Sequence, residues 1–300
     1  MIKNFDEMLS IVKNNKTMKL VVAAAQDKDV VEAVTMACEA NLVEPILVGD
    51  ETAIRNIIEE MDISYDLRII NEPDVIQSAK TAVSLVRKGE ADFLMKGSIQ
   101  TADIMRAVLD RENGLRTDSL ISHVMVYEVP YYEKLLFLTD GGVNIAPSLE
   151  QKVKILENAI KVCKAMGLDR IYAAALAGAE TVNPKIPATV EAEALANMKD
   201  KWGETNTVVE GPVALDLAIN KKACEHKGYK GEGGGRADIL LVPYYEVGNA
   251  LGKSLTYFAN AKSAGIIMGA KAPIVLVSRA DTSETKLLSI ALGSIIANNK

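Results

Sequence analysis

A short apolar run, closed by a turn and followed by an amphipathic helix, recurs along this chain and constrains its fold more than any other feature. Residues 18–25, MKLVVAAA, form the first run, followed by Gln26, Asp27 and a helical pattern through Val30, Ala33, Val34 and Ala37. The same order returns at 45–48 before a helix over 52–61, at 67–70 before 74–89, and at 91–95 before a helix through Ile104, Val108 and Leu109. Runs this apolar face water on neither side, so together with the helices between them they predict a parallel sheet covered on both faces, the α/β class. At 122–129 and 134–138, around Pro130-Tyr131-Tyr132, the pattern changes to adjacent strands, expected to be antiparallel. Alternation then resumes with helix 149–166, strand 171–176, helix 188–198 and a strand from 206. An Ala/Leu-rich helix, a Gly-rich loop at 228–235, strand 237–243, helix 248–264, strand 273–277 and a terminal helix over 282–296 follow. Two α/β domains are expected: a discontinuous first domain of 1–119 with 279–300, and a second of 120–278.

Charge narrows the function classes. The 300 residues carry 34 Lys and Arg against 40 Asp and Glu, a formal charge of -6, which offers no general attraction for nucleic acid or anionic lipid. A locally basic pocket for a small anion remains compatible with it. The three cysteines, Cys38, Cys163 and Cys224, are too few and too dispersed for a disulfide framework or a zinc motif. Asp6 and Glu7 lie where a secretory leader needs apolar residues, and later apolar stretches are broken before bilayer length. The expectation is a cytoplasmic protein with no metal, no nucleic-acid partner and no membrane role.

In open α/β sheets, ligands settle beyond the carboxyl ends of the strands, where helix starts offer N–H groups to anions. Several polar clusters fall at such points. In Lys96-Gly97-Ser98-Ile99-Gln100-Thr101 the glycine permits a tight turn, Ser98 and Thr101 carry hydroxyls, and Arg106 follows on the helix; the alternative is a solvated cap with Arg106 at the surface. In 277–284, Ser278 and Arg279 suit a reacting anion, since the planar guanidinium grips phosphate through two donors. Asp281 and Glu284 have the spacing of a capping box, so Glu284 serves either as a cap or in proton transfer. Gly233-Gly234-Gly235-Arg236 matches neither a P-loop nor a dinucleotide fingerprint and reads as a flexible loop, or as one that closes over a phosphorylated ligand through Arg236. Asn249 and Lys253 follow another strand-to-helix junction, the lysine facing either an anion or water. Asp140-Gly141-Gly142-Val143-Asn144 is a turn signal that also suits an active-site floor, and His123, in an apolar run, reads as structural before catalytic.

Taken together, LMKGSIQTADIMRAVLD, GLRTDSLISHV, TDGGVNIAP and PIVLVSRADTSETKLLSIALGS resemble the phosphate acetyltransferase and phosphate butyryltransferase family, with wording nearest its butyryl members. The resemblance implies two α/β domains around a cleft, similar to the isocitrate and isopropylmalate dehydrogenases, whose metal and nicotinamide carboxylates have no match here. It implies reversible acyl transfer between coenzyme A and inorganic phosphate, no prosthetic group, coenzyme A as a substrate, and a homodimer. By position, Arg106 corresponds to an arginine the family turns toward phosphate, and Ser278-Arg279 to its Ser-Arg pair near the thioester. The family aspartate proposed as thiol base corresponds to Thr285. Glu284 or Asp281 takes that role, or the thiol ionises without a carboxylate. Acetyl or branched-chain transfer and a non-catalytic coenzyme A or acyl-phosphate binding module are the alternatives; a metal-dependent dehydrogenase is the rival class.

Overall fold

In the computed structural model, which describes residues 1–277 and 281–299, the chain begins with α1 (Phe5–Asn14) and repeats one short rule three times. β1 (Met18–Ala23) leads to α2 (Lys28–Glu39), β2 (Val43–Gly49) to α3 (Glu51–Glu60), and β3 (Arg68–Asn71) to α4 (Val75–Arg87). Each helix starts at an aspartate beyond the strand: Asp27, Asp50 and Asp74 accept from the backbone N–H groups of Val30 (3.1 Å), Ala53 (3.1 Å) and Gln77 (2.8 Å). A carboxylate there satisfies a first-turn donor that the helix leaves unpaired and meets the positive end of the helix dipole. The sequence thereby marks where each crossover turns back. β4 (Phe93–Lys96) and α5 (Thr101–Val108) follow.

Next come β5 (Ser122–Glu128), β6 (Leu136–Thr139), α6 (Leu149–Ala165), β7 (Ile171–Leu176), α7 (Pro187–Asn197) and α8 (Lys199–Gly203). β8 (Thr207–Val213), α9 (Leu215–Ile219), α10 (Lys221–Lys227), β9 (Ile239–Leu241) and α11 (Tyr245–Tyr257) continue the chain, which closes with β10 (Lys262–Met268), β11 (Ile274–Val275) and α12 (Ser283–Asn298). These elements fall into a central unit, Met1–Asn4 with Leu120–Ser263, and a terminal unit, Phe5–Ser119 with Ala264–Lys300. The chain rejoins the terminal unit at Ala264, whereas the sequence reading rejoins it at 279. Strand pairing is the reason: β11 lies parallel to β4, Ile274 opposite Leu94, and β10 runs antiparallel to β11.

Within the terminal unit the strand order is β3-β2-β1-β4-β11-β10, with β1 parallel to both β2 and β4. Every β1 residue except Lys19 is buried, as expected of a strand covered on both faces. α12 is buried along most of its length, and a Cβ at Gly293 would come 2.7 Å from the Phe93 ring, so the glycine lets this helix lie close on β4. Within the central unit the order is β5-β6-β9-β7-β8, the β5–β6 pair being antiparallel and the others parallel. The helix expected over 248–264 ends at Tyr257, because Asn260 takes a left-handed conformation (φ 52°) and β10 begins two residues later. α1 and α8 have no counterpart in the sequence reading, and the one Ala/Leu-rich helix expected before the Gly-rich loop is interrupted at Asn220 and forms α9 and α10.

Asp238 stitches the amino ends of three neighbouring strands. Its backbone N–H donates to Tyr172 O (2.7 Å), its carbonyl accepts from Phe137 N (2.8 Å), and its carboxylate accepts from Tyr172 N (2.8 Å) and pairs with Lys134 Nζ. The Asp238 side chain is 3% exposed and that of Lys134 19%, so removing the carboxylate leaves a largely desolvated ammonium without its counter-charge, held by the Arg236 carbonyl (2.7 Å), and takes the acceptor from a backbone donor. Asp238→Ala is expected to lower the unfolding free energy by about 3 kcal/mol. Urea titration reads this as a lower midpoint at unchanged slope, and an unmoved midpoint contradicts it.

Candidate functional site

In the central unit, the parallel neighbours β6 and β9 end side by side at Thr139 and Leu241. Asp140, the next residue after β6, is 3% exposed. Its Oδ1 accepts from Gly142 N (2.8 Å) and Val143 N (2.9 Å); its Oδ2 accepts from His123 N (3.1 Å), Asn144 N (3.4 Å) and Asn144 Nδ2 (2.6 Å). A buried carboxylate is tolerable when its lone pairs are satisfied in this way. Three successive N–H groups curl around it as they would around a bound anion, so the turn is wound on its own charge. Both glycines are obligatory: a Cβ at Gly142 would lie 2.3 Å from His123 Nδ1, and one at Gly141 2.6 Å from the Gly248 carbonyl carbon.

That second approach ties the loop to α11. Asn249 Nδ2 donates to Gly141 O (3.4 Å) and to Tyr245 Oη (3.3 Å), and Lys253, four residues on, shares the Asn249 face and is exposed. At the start of the same helix, buried Lys152 pairs with Glu191 and lies 5.1 Å from the Tyr244 ring centroid. Arg236 is elsewhere. Its Nε (3.0 Å) and Nη2 (2.8 Å) donate to Glu232 O, and its guanidinium covers the Tyr172 ring at 4.3 Å, at the amino ends of β7 and β9. The glycine loop before it is fastened by Glu210, which accepts from Gly233 N (3.0 Å) and Tyr229 Oη (3.0 Å). The structure therefore brings Asn249 to the carboxyl ends, sets Lys253 a turn further along α11 beside Gly252, which packs against Tyr127, and places Arg236 at the opposite ends of the strands.

In the terminal unit, Gly97 N donates to Ala23 O (2.9 Å) and Ser98 N to Ala24 O (2.7 Å), folding the end of β4 over that of β1. A Cβ at Gly97 would lie 2.2 Å from Ala24 O, so only glycine fits. Ser78 of α4 braces the same corner, accepting from Ala24 N (2.7 Å) and donating to Val48 O (3.0 Å). Ser98, half-buried, and Thr101, the exposed first residue of α5, stand at this corner beside buried Lys96. Arg106 lies in the last turn of α5, where it pairs with Asp103 (2.6 Å) and lines a surface groove of about 630 Å³ with Lys80, Arg87 and Lys88.

Ser278 and Arg279 lie outside the described residues. Just beyond them, α12 is capped by Thr282, whose Oγ1 accepts from Thr285 N (3.2 Å) and donates to Thr285 Oγ1 (3.2 Å). The cap is thus one residue later than the Asp281/Glu284 spacing suggests. Thr285, where the resemblance implies an aspartate, is occupied in the cap, and Glu284 stands exposed in the first turn. Ser283 Oγ donates to Glu32 Oε2 (2.5 Å), and buried Lys286 donates to Asp281 O (2.6 Å), pinning this turn to α2 and to the preceding loop.

Burial pushes the thiols of Cys38, Cys163 and Cys224 above their ordinary range, which disfavours the thiolate a nucleophile would need. Among the described residues no group of three or more His, Cys, Asp and Glu is arranged to hold a metal ion, and no helix is long and apolar enough to cross a membrane. Sequence reasoning marked the Asp140 turn without seeing its five donors; an aspartate followed by Gly-Gly after a strand is the signal. Lys152 and Glu191 are 39 positions apart and carry no local sign. Thr282→Ala is expected to cost about 1 kcal/mol and Glu284→Gln less than about 0.5 kcal/mol, readable from paired denaturant titrations; the reverse order would return the cap to Glu284.

Residues 64–294 match the family described as "Phosphate acetyl/butaryl transferase". The chain is 45% identical over 302 residues to the phosphate butyryltransferase of Clostridium acetobutylicum, covering 100% of both chains. The solved branched-chain phosphotransacylase of Enterococcus faecalis is 35% identical with a TM-score of 0.84, covering 93% of this chain and 99% of that one. The 4-hydroxythreonine-4-phosphate dehydrogenase of Klebsiella pneumoniae shares the fold more distantly, at 16% identity and a TM-score of 0.54 over 94% of this chain and 100% of that one. On this match across most of its length, the chain belongs to the phosphate acetyl/butyryl transferase family.

Proposed function

We propose that this chain transfers a butyryl group reversibly between coenzyme A and inorganic phosphate. The observation that carries the reading is its end-to-end similarity to a phosphate butyryltransferase. The proposal includes no prosthetic group, coenzyme A being a substrate, and extends to a homodimer in the cytoplasm and to the dehydrogenase-like architecture for the two units.

Toward acyl phosphate, a phosphate oxygen attacks the thioester carbonyl carbon, a tetrahedral oxyanion forms, and the C–S bond breaks with coenzyme A leaving as thiolate. Arg106 and Arg279 hold the phosphate, while Ser278 and the first N–H groups of α12 support the charge that develops. Ser98 and Thr101 add hydroxyl donors, and Asn249 with Lys253 bind coenzyme A. In reverse, Glu284 raises the thiolate fraction, small for an ordinary thiol near neutrality. Arg236, engaged with Glu232 and Tyr172, is given no part in binding. Because the Arg106–Asp103 pair is exposed, Asp103→Asn leaves stability within about 0.5 kcal/mol, and its effect falls on the KM for phosphate.

Similarity to the branched-chain phosphotransacylase favours a second reading, transfer of a branched acyl group. One assay separates them: thiol released from acetyl-, butyryl- and isobutyryl-coenzyme A, with and without phosphate. Phosphate-dependent release fastest with butyryl supports the first reading, and fastest with isobutyryl the second. No release at high enzyme concentration removes both. Arg279→Ala is expected to lose far more rate than Ser278→Ala, and a Glu284→Gln variant with full activity across pH would remove Glu284 as the base.

A further inference from the structure

We propose that Lys96 binds the inorganic phosphate that attacks the thioester, a role that rests on the acyltransferase reading above. Lys96 is the last residue of β4, the middle one of three parallel strands in the terminal unit. It stands opposite Ala23, the last residue of β1, and Met95 just before it stands opposite Val275, the last residue of β11. The three strands thus end together, and Lys96 lies at the carboxyl edge where an open α/β sheet binds its ligands. It follows Phe93, Leu94 and Met95, all fully buried, and is itself 7% exposed. An ammonium is costly to bury, and a lysine with no task at a strand end runs out to water along its hydrocarbon stem. Here Nζ instead donates to Gly97 O (3.1 Å), which keeps the charge at the corner.

The surroundings of that charge select an anion. α2, α3 and α4 each start at an aspartate whose carboxylate caps the first turn, whereas α5 follows Gln100, whose side chain makes no cap bond. The start of α5 therefore keeps the positive end of its dipole free of a capping carboxylate, four residues after Lys96 supplies a full charge. The acid in its first turn, Asp103, is paired with Arg106. Gly97 N and Ser98 N are spent on Ala23 O and Ala24 O, so a phosphate at this corner depends on side chains for its counter-charge. Arg106 is 72% exposed in the last turn of α5, where water competes for its donors. Lys96 is the desolvated cation at the strand end, and a charge removed from water acts more strongly on a bound anion.

The test follows phosphate-dependent thiol release from butyryl-coenzyme A in the wild type, Lys96→Met, Lys96→Ala and Lys19→Met, the last removing an exposed lysine near the amino end of β1. In Lys96→Met, which keeps the bulk and removes the charge, kcat/KM for phosphate is expected to fall about a hundredfold while the KM for butyryl-coenzyme A stays within about threefold. Lys96→Ala is expected to regain part of its rate in methylammonium, and Lys19→Met to match the wild type. In the wild type, the ammonium nitrogen signal of Lys96, assigned by its loss in Lys96→Arg, is expected to shift on titration with inorganic phosphate alone; this measurement decides if Lys96→Met does not fold. An unchanged kcat/KM for phosphate in folded Lys96→Met, or a signal that phosphate leaves in place, overturns the inference alone. So does an equal loss for both substrates with no recovery in methylammonium, which would reduce Lys96 to a support for Gly97. A wild type that releases no thiol overturns the acyltransferase reading, and the inference with it.

Discussion

The carboxylate of Asp140 is the constraint on which the central group of residues depends. Burying a charge is costly unless hydrogen bonds replace its hydration, and here five N–H bonds from four residues do so. The arrangement has a directional consequence. Because the carboxylate draws the loop's N–H groups inward, the side chains of Val143 and Ile145 are left outward, and the loop offers hydrocarbon where a bare glycine turn would offer an anion site. Gly141 and Gly142 are part of the same solution, since one passes against Gly248 and the other against His123.

The terminal unit solves a similar problem by different means. Its corner is built from backbone contacts between the ends of β1 and β4, closed by Gly97 and braced by Ser78. α12 is steadied by Thr282 within its own first turn and by Glu32 and Lys286 across to α2. Thr285 can therefore contribute to the cap without carrying a charge, and Glu284, beside it in an exposed first turn, is the carboxylate that this helix start presents.

Much of this was legible in the sequence because it is local. Asp27, Asp50 and Asp74 announce their helices within three residues, and the change from parallel to antiparallel pairing at β5 and β6 follows from the apolar runs around Pro130. The motifs around Gly97, Asp140 and Asn249 stand at carboxyl ends of strands, where an α/β chain binds its ligands. What was not legible depends on contacts distant in sequence. The helix expected over 248–264 runs three residues into β10 and leaves the rest of that strand unassigned, because the chain turns at Asn260 through a backbone angle and not at a proline. Arg236 reads either as part of a flexible loop or as an anion ligand, and its stacking on Tyr172 depends on a residue far from it in sequence. The cap of α12 was misplaced by one residue because Asp, Thr and Ser adjoin there, and each is an acceptable first cap.

Amide hydrogen exchange at Gly142, Val143 and Asn144 tests the central claim most directly. If Asp140 holds these donors in solution, their amides exchange at least about a hundredfold more slowly than free peptide despite the exposed loop, and that protection disappears in Asp140→Ala while the strand amides of β6 stay protected. Exchange at free-peptide rates in the wild type would contradict the account, because the loop would then be open and its N–H groups available to an anion.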